Sequence, residues 1–282
     1  MYAQQINRTN PGCLVLLLDR SGSMREPIAN GGGRSKAEAL ADAVNSLLYE
    51  LVLKCIKNPT EGPRNYYDVC VLGYGGDEVG SALGGELAGR EVVSIVDLAN
   101  HPMRVDERLE HPEGAGDADA LPRGIKVPVW VDPVAAGGTP MSEAINRAGA
   151  LVAPWVRSHR GSFPPIVINA SDGAATDGDP AQWSERMRSL ATEDGNVLFF
   201  NLNLSALGGE PVYFPGTTED LANDYARSLF DMSSRLPGYM RSLAAAQGIP
   251  VSEFARGYVY NADMGAVVRF LQIGTATAQA ML

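Results

Sequence analysis

The chain has 282 residues, 45% of them hydrophobic, with 33 acidic and 23 basic side chains and a formal net charge of -10. That hydrophobic content excludes a disordered chain, and the acidic balance argues against non-specific nucleic-acid binding, which needs a basic surface to displace counterions. The apolar run Cys13 to Leu18 is far shorter than the roughly 20 residues needed to span a bilayer. The opening MYAQQINRTN has no apolar secretory segment, so a cytoplasmic protein is expected, with neither membrane nor nucleic acid as partner.

In chain order, CLVLLLD (13–19) reads as a strand covered on both faces. A small-residue turn, RSGSM, follows it. SKAEALADAVNSLLYELVLKCIKN is a helix: Ser35 and Glu38 form a capping-box pair, Leu40, Val44, Leu47, Leu48, Leu51 and Cys55 recur on one face, and Asn58 and Pro59 end it. YYDVCVLGY (66–74) supplies the next strand. Glycines crowd 73–90 and predict turns or a weak hairpin. REVVSIVDLA (90–99) reads as a strand, and 101–119 as a solvated polar excursion. IKVPVWVDP (125–133) reads as a strand that Pro128 confines to an edge.

Regular structure resumes with a helix from AGGTPMSEAINRAGALVAPWV, Pro140 in its first turn. PPIVINASDG (164–173) repeats the opening design, a hydrophobic strand ending in Ser, Asp and Gly. A helix starts near Asp179, with Pro180 just inside and Gln182 as reciprocal cap. NVLFFNLNLS (196–205) is a buried strand, VYFPG (212–216) a short outer one, and a helix runs from about Thr218 to Met232. Two further helices are expected within 236–273. The whole predicts an α/β fold: a Rossmann-like, doubly wound, mostly parallel sheet flanked by helices, one domain over 10–282 with an irregular insertion at 76–136.

Asp19, Ser21 and Ser23 follow one hydrophobic strand, Asp172 follows another, and Thr139 opens a helix. The carboxyl ends of parallel strands share one edge, so these five groups are expected to converge. Their all-oxygen donors suit a hard cation, Mg²⁺ with Mn²⁺ or Ca²⁺ as substitutes. Two carboxylates about 5 Å apart repel by roughly 3 kcal/mol at an effective dielectric near 20, and a divalent ion removes that cost. Cys13, Cys55 and Cys70 are widely spaced in apolar runs and read as buried free thiols. His101, His111 and His159 read as surface residues. The sequence contains neither GxGxxG after a strand nor a P-loop.

DRSGSM (19–24), GGTPM (137–141) and SDG (171–173) together resemble a von Willebrand factor A (vWA) domain with a complete metal-ion-dependent adhesion site (MIDAS). Ser171 stands where that family often has threonine. The resemblance implies a bound Mg²⁺ ligated by Asp19, Ser21, Ser23, Thr139 and Asp172, completed by an Asp or Glu carboxylate from a partner protein. The layout and the terminal GYVYNADMGAVVRFL resemble the bacterial cytoplasmic TerY-like group associated with tellurium resistance. That likeness implies a place in a stress-response or defence complex. The expected function is therefore a metal-dependent protein-binding module and not an enzyme. The alternatives are a Mg²⁺-dependent hydrolase or phosphotransferase, for which Asp77, Glu78 or Asp132 would have to supply a base, and a metal-free structural scaffold.

Overall fold

The computed structural model describes residues 2–58, 60–76, 78–110, 123–206 and 208–276. Asp77, Pro59, His111 and the acidic residues Glu113, Asp117 and Asp119 lie outside them. Twelve strands and seven helices are formed among the described residues, in the order β1 (Gly12–Asp19), α1 (Lys36–Cys55), β2 (Tyr67–Gly75), β3 (Glu78–Ser81), β4 (Val93–Ser94), α2 (Ile95–Asn100), β5 (Arg104–Glu110), β6 (Arg123–Val129), α3 (Met141–Ser158), β7 (Ile166–Ser171), α4 (Ala181–Ser189), β8 (Ala191–Thr192), β9 (Gly195–Asn196), β10 (Leu198–Leu204), β11 (Val212–Tyr213), α5 (Asp224–Met232), α6 (Gly238–Ala246), β12 (Tyr258–Ala262) and α7 (Met264–Gly274).

The main sheet runs β11-β12-β10-β7-β1-β2-β3, with β4 also paired to β2. β2, β1, β7, β10 and β12 are mutually parallel, and the outer strands β3 and β11 are antiparallel. This is the α/β, Rossmann-like, mostly parallel arrangement expected from the sequence. After β1 the chain winds outward to β2, and after α3 it returns to β7 on the other side of β1. The switch in winding direction therefore falls between β1 and β7, where open α/β sheets collect ligand sites.

Strand β1 is buried throughout, and its alternate residues serve opposite layers. Leu14, Leu16 and Leu18 pack with Leu40, Val44 and Leu48 of α1 and with Val267 and Phe270 of α7. Cys13, Val15 and Leu17 pack with Ile145, Ala148 and Val152 of α3 and Leu229 of α5. Each fully buried leucine contributes about 1.5–3 kcal/mol. A buried polar chain crosses the second layer: Tyr74 Oη donates to Asn169 Oδ1 (2.7 Å), Asn169 Nδ2 to Asn201 Oδ1 (3.0 Å), and Asn201 Nδ2 to Ser233 Oγ (2.9 Å). These bonds fix the relative placement of β2, β7, β10 and the end of α5.

Ser35 and Glu38 form the expected capping box at the start of α1. Several local expectations are corrected. The 90–99 segment is mainly helix α2, because Ser94 and Asp97 make a second capping box that ends β4 after two residues. The start of the polar excursion forms β5, which pairs antiparallel with β6, Pro128 lying opposite Val105 in this two-stranded ribbon. Helix α4 has no side-chain cap from Gln182; Asp179 Oδ1 instead accepts from the Ala181 N–H at 2.9 Å. Helix α5 starts at Asp224 under an Asn223 cap, not near Thr218. Between the two C-terminal helices lies β12, a parallel strand of the main sheet.

Candidate functional site

The site forms at the carboxyl ends of β1 and β7. Asp19, the last residue of β1, is buried. Its Oδ1 accepts from the Ser21 N–H at 2.8 Å and its Oδ2 from Ser171 Oγ at 2.6 Å. Ser21 Oγ lies 3.0 Å from Ser23 Oγ, and Ser23 Oγ donates to Asp172 Oδ1 at 2.7 Å. Burial pushes the Asp19 carboxyl above its ordinary range, against the lowering bonds from Ser171 and Ser21, and the nearby Asp172 charge adds to the rise. Ser171 also lies 3.2 Å from the Tyr225 hydroxyl, which donates to it from α5.

Thr139 is positioned by backbone contacts. Its N–H donates to Thr176 Oγ1 and its carbonyl accepts from the Thr176 N–H, both at 2.9 Å. The turn before it is locked to two other loops: Gly22 N–H donates to Gly137 O (2.9 Å) and Gly76 N–H to Gly138 O (3.1 Å). Gly137 has φ +66°, and a Cβ there would overlap the Gly76 backbone, so this close approach requires glycine. Upstream, Asn45 of α1 holds the same segment, its Oδ1 accepting from the Trp130 and Val131 N–H groups and its Nδ2 donating to Val131 O. Downstream, Asp177 caps α3 by accepting from the Ser142 and Glu143 N–H groups. The structure thus brings Asp19, Ser21, Ser23 and Asp172 into one hydrogen-bonded cluster, with Thr139 on the adjoining turn.

One group missed by the sequence reading changes the electrostatics. Lys36, the first residue of α1, is buried, and its Nζ lies 2.8 Å from Asp172 Oδ2 and 2.8 Å from Glu26 Oε2. Desolvation opposes its charge, but the bonds to Asp172 and Glu26 outweigh it and raise the Lys36 pKa. The only signal for this role was a lysine at the first position of a helix beginning beside the loop, which normally reads as a solvated end.

Lys36 corrects the expected metal centre. A divalent ion would relieve repulsion between Asp19 and Asp172. Here an ammonium of the chain itself neutralises Asp172, while Asp19 is satisfied by a hydroxyl and an amide. The Ser23 hydroxyl is directed at a carboxylate rather than held as a free ligand. Among the described residues, no group of three or more His, Cys, Asp and Glu side chains could hold a metal ion. The expectation of a bound Mg²⁺, with Mn²⁺ or Ca²⁺ as substitutes, is therefore overturned. The docking of a partner's Asp or Glu on that ion, and the Mg²⁺-dependent hydrolase, fall with it.

The two described histidines and the expected base candidates have other partners or positions. His101 pairs with Glu86 (2.8 Å), and His159 stacks on Trp155. Asp132 is held by Arg104 at 2.6 Å, Glu78 lies on β3, and Asp77 is outside the described residues. Cys13, Cys55 and Cys70 are buried free thiols, and burial drives their pKa values upward, away from nucleophilic use. No helix among the described residues is long and apolar enough to cross a membrane.

No family model and no curated protein matches the chain. Among solved structures it is similar to the manganese-loaded TRAP protein of Plasmodium vivax (13% identity, 96% of this chain and 76% of that chain, TM-score 0.41). It is also similar to the pilus adhesin RrgA of Streptococcus pneumoniae (14%, 62% and 22%, TM-score 0.30) and to the adhesive tip pilin GBS104 of Group B Streptococcus agalactiae (12%, 90% and 46%, TM-score 0.31). At such identities and TM-scores the likeness carries no argument about function. The resemblance to a vWA domain with a complete MIDAS, and with it the TerY-like assignment, is corrected: the α/β architecture is present, and the motif residues form a hydrogen-bonded cluster in which Lys36 pairs with Asp172.

Proposed function

We propose that the chain is a metal-independent, non-catalytic scaffold that binds a protein partner through the loop surface at the carboxyl edge of its sheet. The observation that carries this reading is the 2.8 Å pair between Lys36 Nζ and Asp172 Oδ2, which gives Asp172 a counter-charge from the chain itself. Rigidity supports it too. The loops at Gly22, Gly76, Gly137 and Thr176 are tied together by backbone hydrogen bonds, so their exposed residues are ordered before any partner arrives. Ser23, Arg25 and Val134 are exposed on these loops. The buried free thiols Cys13, Cys55 and Cys70 favour the cytoplasm as the setting.

The test is affinity capture with the intact chain as bait, with and without EDTA, alongside Val134→Asp and Arg25→Glu. The reading expects the same partner with or without chelator, and its loss in the two loop variants while their thermal unfolding is unchanged. Capture abolished by EDTA, or indifferent to both substitutions, rejects it.

A further inference from the structure

A cleft of about 490 Å³ opens beside the outer strand β3, within the roughly 300–1,000 Å³ range of small-molecule sites. It is lined by Arg20, Glu78, Val79, Gly80, Val134 and Arg147, among others. Its distinguishing feature is the cross-strand pair Gly73 and Gly80, which leaves one patch of the β2–β3 hairpin without side chains. The Arg20 side chain lies over that bare patch. A Cβ at Gly73 would come within 2.6 Å of both Arg20 Cδ and Nε, so glycine is what admits the guanidinium. At Gly80 a Cβ would meet nothing within 4 Å, because that position faces the open cleft.

The two arginines differ in their charge balance. Arg147 is paired with Glu91, and its Nη1 donates to Val79 O at 2.9 Å. Arg20 donates from Nη2 to Ala82 O at 3.2 Å, and among the described residues no carboxylate lies within ion-pair distance of it. Asp132, whose charge acts on Arg20, is held by Arg104. Glu78 and Glu143 border the cleft but are exposed, where solvent and salt screen them. A half-buried guanidinium with unused planar donors is matched by the geometry of a carboxylate or phosphate.

We propose that this cleft binds a small oxyanion-bearing molecule, a carboxylate or a phosphate, on the free donors of Arg20. The site borders the protein-docking surface proposed above, sharing Val134 with it, and needs no metal. The experiment titrates inorganic phosphate and, separately, succinate into the intact chain by calorimetry. It is repeated on Gly80→Leu, which enters the cleft from a position whose Cβ has no neighbour within 4 Å, and on Arg20→Gln. Saturable millimolar or tighter binding of either anion to the wild type is expected, weakened by about tenfold or more in both variants, with Gly80→Leu unfolding at the wild-type temperature. Binding of phosphate alone assigns a phosphate ligand, and binding of succinate alone a carboxylate. Wild-type protein that binds neither anion, or a Gly80→Leu protein that binds as the wild type does, overturns the proposal.

Discussion

Lys36 and Asp172 stand 136 residues apart in sequence, yet the lysine ammonium lies 2.8 Å from an Asp172 oxygen whose side chain is fully shielded from solvent. The pair joins the first turn of α1 to the end of β7 across the point where the sheet reverses its winding. Removing one member leaves the other as an uncompensated buried charge. Lys36→Met should therefore cost about 3–5 kcal/mol in urea unfolding. Adding Asp172→Asn to Lys36→Met should recover most of that loss, because the orphaned charge goes with it. A double variant no more stable than Lys36→Met would show that the two groups are not energetically coupled.

The glycine turn before Thr139 makes a second claim. Gly137 adopts φ +66° against the Gly76 backbone, whereas Gly80 faces open space in an ordinary strand conformation. Gly137→Ala should destabilise the protein by about 2 kcal/mol or more, and Gly80→Ala should be neutral or slightly stabilising. Denaturant midpoints of the two variants, measured side by side, check this. Equal effects would mean that the interlock of the loops is not what holds the turn.

Acid stability follows from the two capping boxes. Hydrogen bonds from Ser35 hold the Glu38 carboxyl below its ordinary range, and bonds from Ser94 do the same for Asp97. A lowered folded-state pKa gives stabilisation that is complete above the unfolded value, roughly 4, and fades as pH falls through the folded value. Glu38→Gln combined with Asp97→Asn should therefore lose less stability than the wild type between about pH 6 and about pH 3. Chemical unfolding at the two pH values reads the difference. Parallel losses would remove these carboxylates from the account of acid sensitivity.

The central strands were legible because β1, β7 and β10 are nearly unbroken apolar runs of six to eight residues flanked by turn residues, a pattern that fits strands covered on both faces. The Ser35–Glu38 cap was legible because both partners sit three residues apart. VVSIVDL misled because a short apolar run fits a strand or a helix equally, and the deciding signal was the Ser94–Asp97 spacing inside it. Strand β12 escaped notice because five residues between two helices carry no period of their own, and neighbouring β10 is what makes them a strand. The motif residues gathered as their positions at strand ends suggested. The charge that completes their cluster was illegible, since a lysine at a helix start shows nothing in sequence of an aspartate brought to it by the fold.

The metal question is settled most directly by unfolding the wild type in EDTA and again across a Mg²⁺ titration. A site present only in the folded state would add about 2.7 kcal/mol when Mg²⁺ reaches 100 times its Kd. With Lys36 already neutralising Asp172, the account predicts one midpoint throughout. A midpoint that climbs with Mg²⁺, and ceases to climb in Asp19→Asn, would contradict it.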